Sequence, residues 1–240
     1  MAARRQYRLL DAFARLFCGT QYHHRNASQG DRVAIELFED LVSVGPARRL
    51  ANRVESGDRV VNLGEVPVGR FGRRGDSTFG ERVPASQAMM EPGFTVSRAR
   101  VATVEIGAET KVIAKAMIKQ IDRVVGDLKR QTDIFRSHGG NPICVALVGV
   151  NYSDCYTSYE GDRAYPTDGR RYRHPCQEAP EAERRLLGEA AASFVEFLVF
   201  RYKATNVPPY PFEWVDFDQI CLEYSAMLVR LSNEYETRFP

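Results

Sequence analysis

No apolar run in the 240 residues approaches the length of a membrane span, and Met1-Ala2-Ala3-Arg4-Arg5 is followed by no signal-type apolar core. Both absences predict a cytoplasmic protein that does not enter a membrane. Cysteine is sparse: the five residues at 18, 144, 155, 176 and 221 form no Cys-x-x-Cys pair, and no histidine ladder stands near them. Five is also an odd number, so no disulfide framework is expected, and the thiols read as inert in a reducing compartment. The net charge is only +2, so any basic surface must be local. There is no Gly-Lys-Ser/Thr of a Walker loop, no glycine fingerprint for a dinucleotide and no nucleophile elbow. Internal repeats and low-complexity linkers are missing too. What remains, at 44% hydrophobic residues, is one α/β domain over residues 1–240.

Periodicity orders the chain. Leu9, Leu10, Phe13, Leu16 and Phe17 make one stripe of a helix over residues 4–17, and Val33 to Val42 marks a second helix starting near Asp31. Glu36 and Glu39 of that helix read as ordinary helix-face charges. Gly45-Pro46 restarts the chain into a short helix ending near Glu55. Arg59 to Val68 reads as a strand, and Phe94 to Ser97 as another that turns near Arg98. The unbroken apolar run Ile143 to Val150 has the pattern of a strand buried on both faces. Residues 151–180 read as loop. They are followed by a helix from about Ala182 to Ser193, a strand near Phe194 to Lys203 and a closing helix from Phe217 to Tyr235.

The stretch from Val101 to Leu128 carries the most chemistry. Ala102, Val104, Ile106 and Ala108 alternate with Val101, Thr103, Glu105 and Gly107 as on a strand. Continued regularly, that strand sets Glu105, Glu109 and Lys111 on one face. Ile113, Met117, Ile121, Val124 and Leu128 then make a helical stripe that includes Gln120, while Lys115, Lys119 and Asp122 point away from it. A glutamate in an apolar strand needs a partner, and Arg98 or Lys111 in a structural ion pair is the plain alternative to catalysis. Gln120 reads equally well as a loop cap, and Glu91 before Pro92 as a turn residue.

Two stretches concentrate arginine. Arg70, Arg73 and Arg74 stand beside Phe71 and Phe79 in a glycine-rich loop from Gly64 to Pro84, suited to phosphates and stacking or simply to solvent. Between Tyr159 and Pro175, Arg170, Arg171 and Arg173 stand among Tyr165 and Tyr172, a composition that suits nucleic-acid binding rather than chemistry. Of the histidines, His23-His24 lacks a third ligand, and His138 and His174 read as solvated.

Taken together, the middle of the chain runs helix, strand, strand, strand, helix, strand, with Glu91 in Glu-Pro-Gly-Phe, Glu105 in Val-Glu-Ile-Gly and Gln120 in Ile-Lys-Gln-Ile. That combination resembles the PD-(D/E)xK nuclease superfamily, over residues 31–150. The resemblance implies a restriction endonuclease-like core, a mixed central β-sheet flanked by helices, here extended by a C-terminal helix-strand-helix over 151–240. It further implies a metal-dependent endonuclease acting on DNA, of restriction type, with Mg2+ or Mn2+ held by Glu91, Glu105 and Glu109. Lys111 would orient or stabilise charge and Gln120 would fix a partner by hydrogen bonding. The expected partners are DNA and a second copy of the chain. The sequence departs from the pattern at Gly107, where the family has lysine, and at Met90-Glu91. Either the motif moves to Glu109-Thr110-Lys111, or Lys111 reaches back to Glu105, or catalysis is lost and a nucleic-acid- or protein-binding fold remains.

Overall fold

The apolar run Ile143–Asn151 is a strand buried at all nine positions, which requires a neighbour on each edge and a helical layer on each face. The computed structural model describes residues 7–23, 27–62, 77–137 and 140–240 and supplies all four. In chain order the elements are α1 (Arg8–Arg15), α2 (Ala27–Ser43), α3 (Arg48–Glu55), β1 (Arg59–Asn62), β2 (Ser77–Arg82), β3 (Arg98–Ala99), β4 (Val101–Ile113) and α4 (Met117–Ser137). There follow β5 (Ile143–Asn151), β6 (Thr157–Glu160), β7 (Arg163–Pro166), α5 (Pro175–Glu189), a 3-10 turn (Ala191–Ser193), β8 (Glu196–Ala204), β9 (Phe212–Trp214) and α6 (Phe217–Arg238).

Seven strands make one mixed sheet in the order β3-β1-β2-β4-β5-β8-β9. Strands β1, β2 and β4 are antiparallel in turn, whereas β4, β5 and β8 are parallel, joined through α4 and α5. Strands β6 and β7 form a separate hairpin. Helices α1, α2, α3 and α6 cover one face, where Phe13, Phe38, Leu147, Phe200 and Tyr224 pack together. Helices α4 and α5 cover the other, packing Met117, Ile121, Leu128, Ala182 and Leu186 on Ala146 and Val148. The mixed sheet flanked by helices is as expected. Among the described residues no helix is long and apolar enough to cross a membrane.

Several elements differ from the sequence reading, each for a local reason. Helix α5 begins at Pro175 rather than near residue 182, and it continues through Pro180. Proline suits a first helical position, but an internal proline normally reads as a break. The expected strand Phe94–Ser97 is not formed, because Glu39 accepts the backbone N–H groups of Thr95 and Val96 and so replaces a ladder. The β6–β7 hairpin and the three-residue β9 were too short to show a period.

Glu36 and Glu39 are not ordinary surface charges: both are buried, and Arg8 pairs with each. Next to them Asp40 accepts the N–H groups of Arg8 and Leu9, capping α1, and the Tyr224 hydroxyl from α6. Burial holds the Asp40 carboxyl above its ordinary value, against these hydrogen bonds.

Gly107 fixes the distance between β4 and α4. A Cβ there would lie 2.5 Å from the Phe135 ring. Gly107→Ala is expected to lower stability by about 1–3 kcal/mol, read as the urea midpoint, and Phe135→Leu in the same chain should recover part of it. An unchanged midpoint in Gly107→Ala would refute this packing.

Candidate functional sites on strand β4 and beyond its carboxyl end

Strand β4 is buried without interruption from Val104 to Thr110. Its pairing with β2 slips twice, once near Arg82 and once at the critical point: Phe79 faces Ile106, but Gly80 faces Val104, leaving Glu105 as an extra residue in a β-bulge. Gly80 makes the bulge feasible, since a Cβ there would lie 2.0 Å from the Thr103 carbonyl oxygen. The bulge turns Glu105 to the α6 side, together with its neighbour Ile106. Gly107, beneath Phe135, stays on the α4 side, and two and four residues further on the pleat gives Glu109 and Lys111 that same side. The expectation that Glu105, Glu109 and Lys111 share one face is therefore corrected.

Each acid has its own surroundings. Glu105 receives Arg59 Nε at 2.8 Å and the Tyr235 hydroxyl at 2.6 Å, and its side chain is 6% exposed. Burial opposes the Arg59 charge, but Glu105 beside it holds the guanidinium above its ordinary value. Burial and the bond to Glu105 push the Tyr235 hydroxyl up. These are the features of a structural ion pair, made with neither Arg98 nor Lys111. Glu109 pairs with Lys111 Nζ at 2.6 Å, with the carboxylate 4% and the lysine 32% exposed. Thr78 of β2 faces Gly107 and so shares this side. Its hydroxyl and the Gln131 amide nitrogen of α4 are buried without hydrogen-bond partners among the described residues.

Glu91 lies elsewhere. It is 44% exposed and pairs with Arg98 at 2.9 Å on β3, separated from β4 by β1 and β2. Gln120 caps the start of α4 by donating to the Lys115 carbonyl at 2.6 Å. Among the described residues no three His, Cys, Asp or Glu side chains are arranged to hold a metal ion. Glu91, Glu105 and Glu109, engaged in three separate ion pairs, thus do not converge on a single Mg2+ or Mn2+ ion. Arg70, Arg73 and Arg74 lie outside the described residues.

The second arginine stretch is assembled. Beyond the carboxyl end of β4, a cavity of about 570 Å³ is lined by Arg170, Arg171 and Arg173 together with Lys115 and Lys119. Tyr165 and Tyr172 expose ring surface in its wall, 39% and 47%. Lys115 Nζ meets the Ser158 hydroxyl and lies 5.8 Å from the Tyr165 ring centre. Burial lowers the Lys115 ammonium from its ordinary value, with Glu160 acting in the opposite direction. The loop carrying the arginines is rigidly built. Asp168 accepts the N–H groups of Arg170 and Tyr172, which hold its carboxyl below the usual range, and Thr167 bonds to His174 Nδ1 at 2.9 Å. Glu178 also lines the cavity, but its carboxylate is engaged by the Met117 N–H at the start of α4.

Lys115 and Lys119 were not singled out as binding residues from sequence. The signal was present in their exclusion from the apolar stripe at a helix start, beside a strand end, where anions gather in α/β folds.

Glu105→Ala is expected to cost about 3 kcal/mol or more, because Arg59 is left partly buried and unpaired. Adding Arg59→Ala should cost less than the sum of the single changes in a denaturant double-mutant cycle. Strict additivity would show that the two residues do not act as a pair.

Comparison with protein families, with curated proteins and with solved structures gives no match for this chain.

Proposed function

We propose that the protein is a nuclease acting on DNA, with its chemistry centred on Glu109 and Lys111. One observation carries this reading. An intact Glu-x-Lys, paired at 2.6 Å, lies on the strand that ends the antiparallel run β1-β2-β4 and begins the parallel pair with β5. Helix α2, the antiparallel strands β1, β2 and β4, then α4 and β5 give an order similar to the one the nuclease resemblance implies, with α3 and the two-residue β3 in addition and β2 in place of the expected strand Phe94–Ser97. Glu105 and Glu91 leave the catalytic assignment, since each is engaged in an ion pair away from Lys111. Gln120 becomes a helix-start cap.

Hydrolysis adds a water oxygen to phosphorus and breaks the bond to the leaving sugar oxygen. Negative charge grows on the phosphoryl oxygens, and a fixed ammonium such as Lys111 lowers its cost. Glu109 holds that ammonium in place and is the carboxylate suited to take the proton of the attacking water. The leaving oxygen takes its proton from solvent. Among the described residues Glu91, Glu105 and Glu109 do not converge, so no step is assigned to a metal here. That separation is also the observation favouring the second reading, a fold that binds nucleic acid without cleaving it.

Cleavage of plasmid DNA by the purified protein with Mg2+ or Mn2+ is the deciding measurement, with chelator as control. Lys111→Ala and Glu109→Gln should each slow cleavage about a hundredfold or more, whereas Glu105→Gln should act through stability. Full activity in Glu109→Gln would remove the assignment; DNA binding without cleavage under every metal condition would establish the second reading.

A further inference from the structure

We infer that the cavity between the start of α4 and the loop before α5 is a binding site for a nucleoside phosphate, taken as an unpaired nucleotide rather than as duplex. The inference extends the proposed action on nucleic acid from the reaction to the form of the substrate. Three features support it. First, the charge is local and of one sign: five cations line the cavity, against Glu160 and a Glu178 carboxylate already engaged by a backbone N–H. In a chain of net charge +2 that convergence selects an anion. Lys115 and Lys119 offer point charges for a phosphate, while the arginines offer planar forks.

Second, the cavity has faces for a base as well as charge for a phosphate. Tyr165 and Tyr172 stand in the wall with ring surface exposed, and the Arg171 guanidinium lies 5.3 Å from the Tyr172 ring centre. Aromatic faces interleaved with cations are the arrangement by which proteins hold unpaired bases. Third, the size and position fit. About 570 Å³ lies within the range of small-molecule sites, roughly 300–1,000 Å³. It also lies beyond the carboxyl ends of the parallel strands β4 and β5, where α/β sheets bind ligands. The loop is already set by the bonds of Asp168 and by Thr167 to His174, so little ordering is needed on binding.

The test reads binding by the full chain in chelator, so it does not depend on cleavage at Glu109. Anisotropy of a labelled oligothymidylate is compared with the same length as duplex, and calorimetry follows adenosine monophosphate. The single strand should bind at least tenfold more tightly than the duplex. Arg171→Ala with Arg173→Ala should weaken it at least tenfold and flatten the salt dependence by about 0.7 units of slope per lost contact. Tyr172→Ala should weaken it about tenfold. All these side chains are exposed, so unchanged thermal midpoints are expected and exclude misfolding. Tight binding of the mononucleotide alone supports the site and assigns it to free nucleotides. Equal binding by native and variant proteins, or no binding of any of the three probes, overturns the inference even if the protein cleaves DNA. Loss of cleavage in Glu109→Gln with binding intact leaves it standing.

Discussion

Strand β4 carries two carboxylates through a sheet covered on both faces, and each charge buried there must meet a partner. Much of the architecture answers that demand. Glu105 draws Arg59 from β1 and Tyr235 from α6, and so ties β1 and β4 to the C-terminal helix. Glu109 is answered by Lys111 on its own strand. One acid therefore joins elements far apart in sequence, while the other keeps its cation beside it, at a place open enough for the lysine to be one-third exposed. The second arrangement is the one suited to chemistry.

The division depends on a single backbone irregularity. Without the bulge opposite Gly80, a regular pleat would leave Glu105 on the side of Glu109, two like charges under α4 beside Lys111. Turning Glu105 away removes that repulsion and gives α6 a polar anchor within an otherwise apolar face. Gly107, standing where a lysine was expected, is explained by the same packing: Phe135 covers it too closely for any side chain. Bulges next to functional positions commonly re-aim side chains in this way.

The buried acids of α2 follow the same logic beside the β3 edge. Asp40 caps α1 and binds Tyr224, and Glu39 takes two backbone N–H groups of the loop before β3. Carboxylates here organise backbone where no strand or helix does. Beyond the carboxyl end of β4 the pattern reverses, with cations gathered round a cavity and the acids placed to shape its loop.

Apolar period and turn residues were enough to determine the mixed α/β class, the buried strand over Ile143 to Val150, the long helix after β4 and the closing helix, because these signals are local and repeat over several turns. The sequence also marked the Glu109-Thr110-Lys111 spacing and the arginine-tyrosine loop, since neighbours in sequence stay neighbours in space. It could not reveal the bulge at Glu105, which depends on a close approach between Thr103 and Gly80 of another strand. Nor could it pair Glu105 with Arg59 and Tyr235, or place Lys115 in one cavity with Arg171, for only the tertiary structure brings these residues together. Periodicity assigns a side chain to a face of its own element; which partner waits on that face is decided by the tertiary structure.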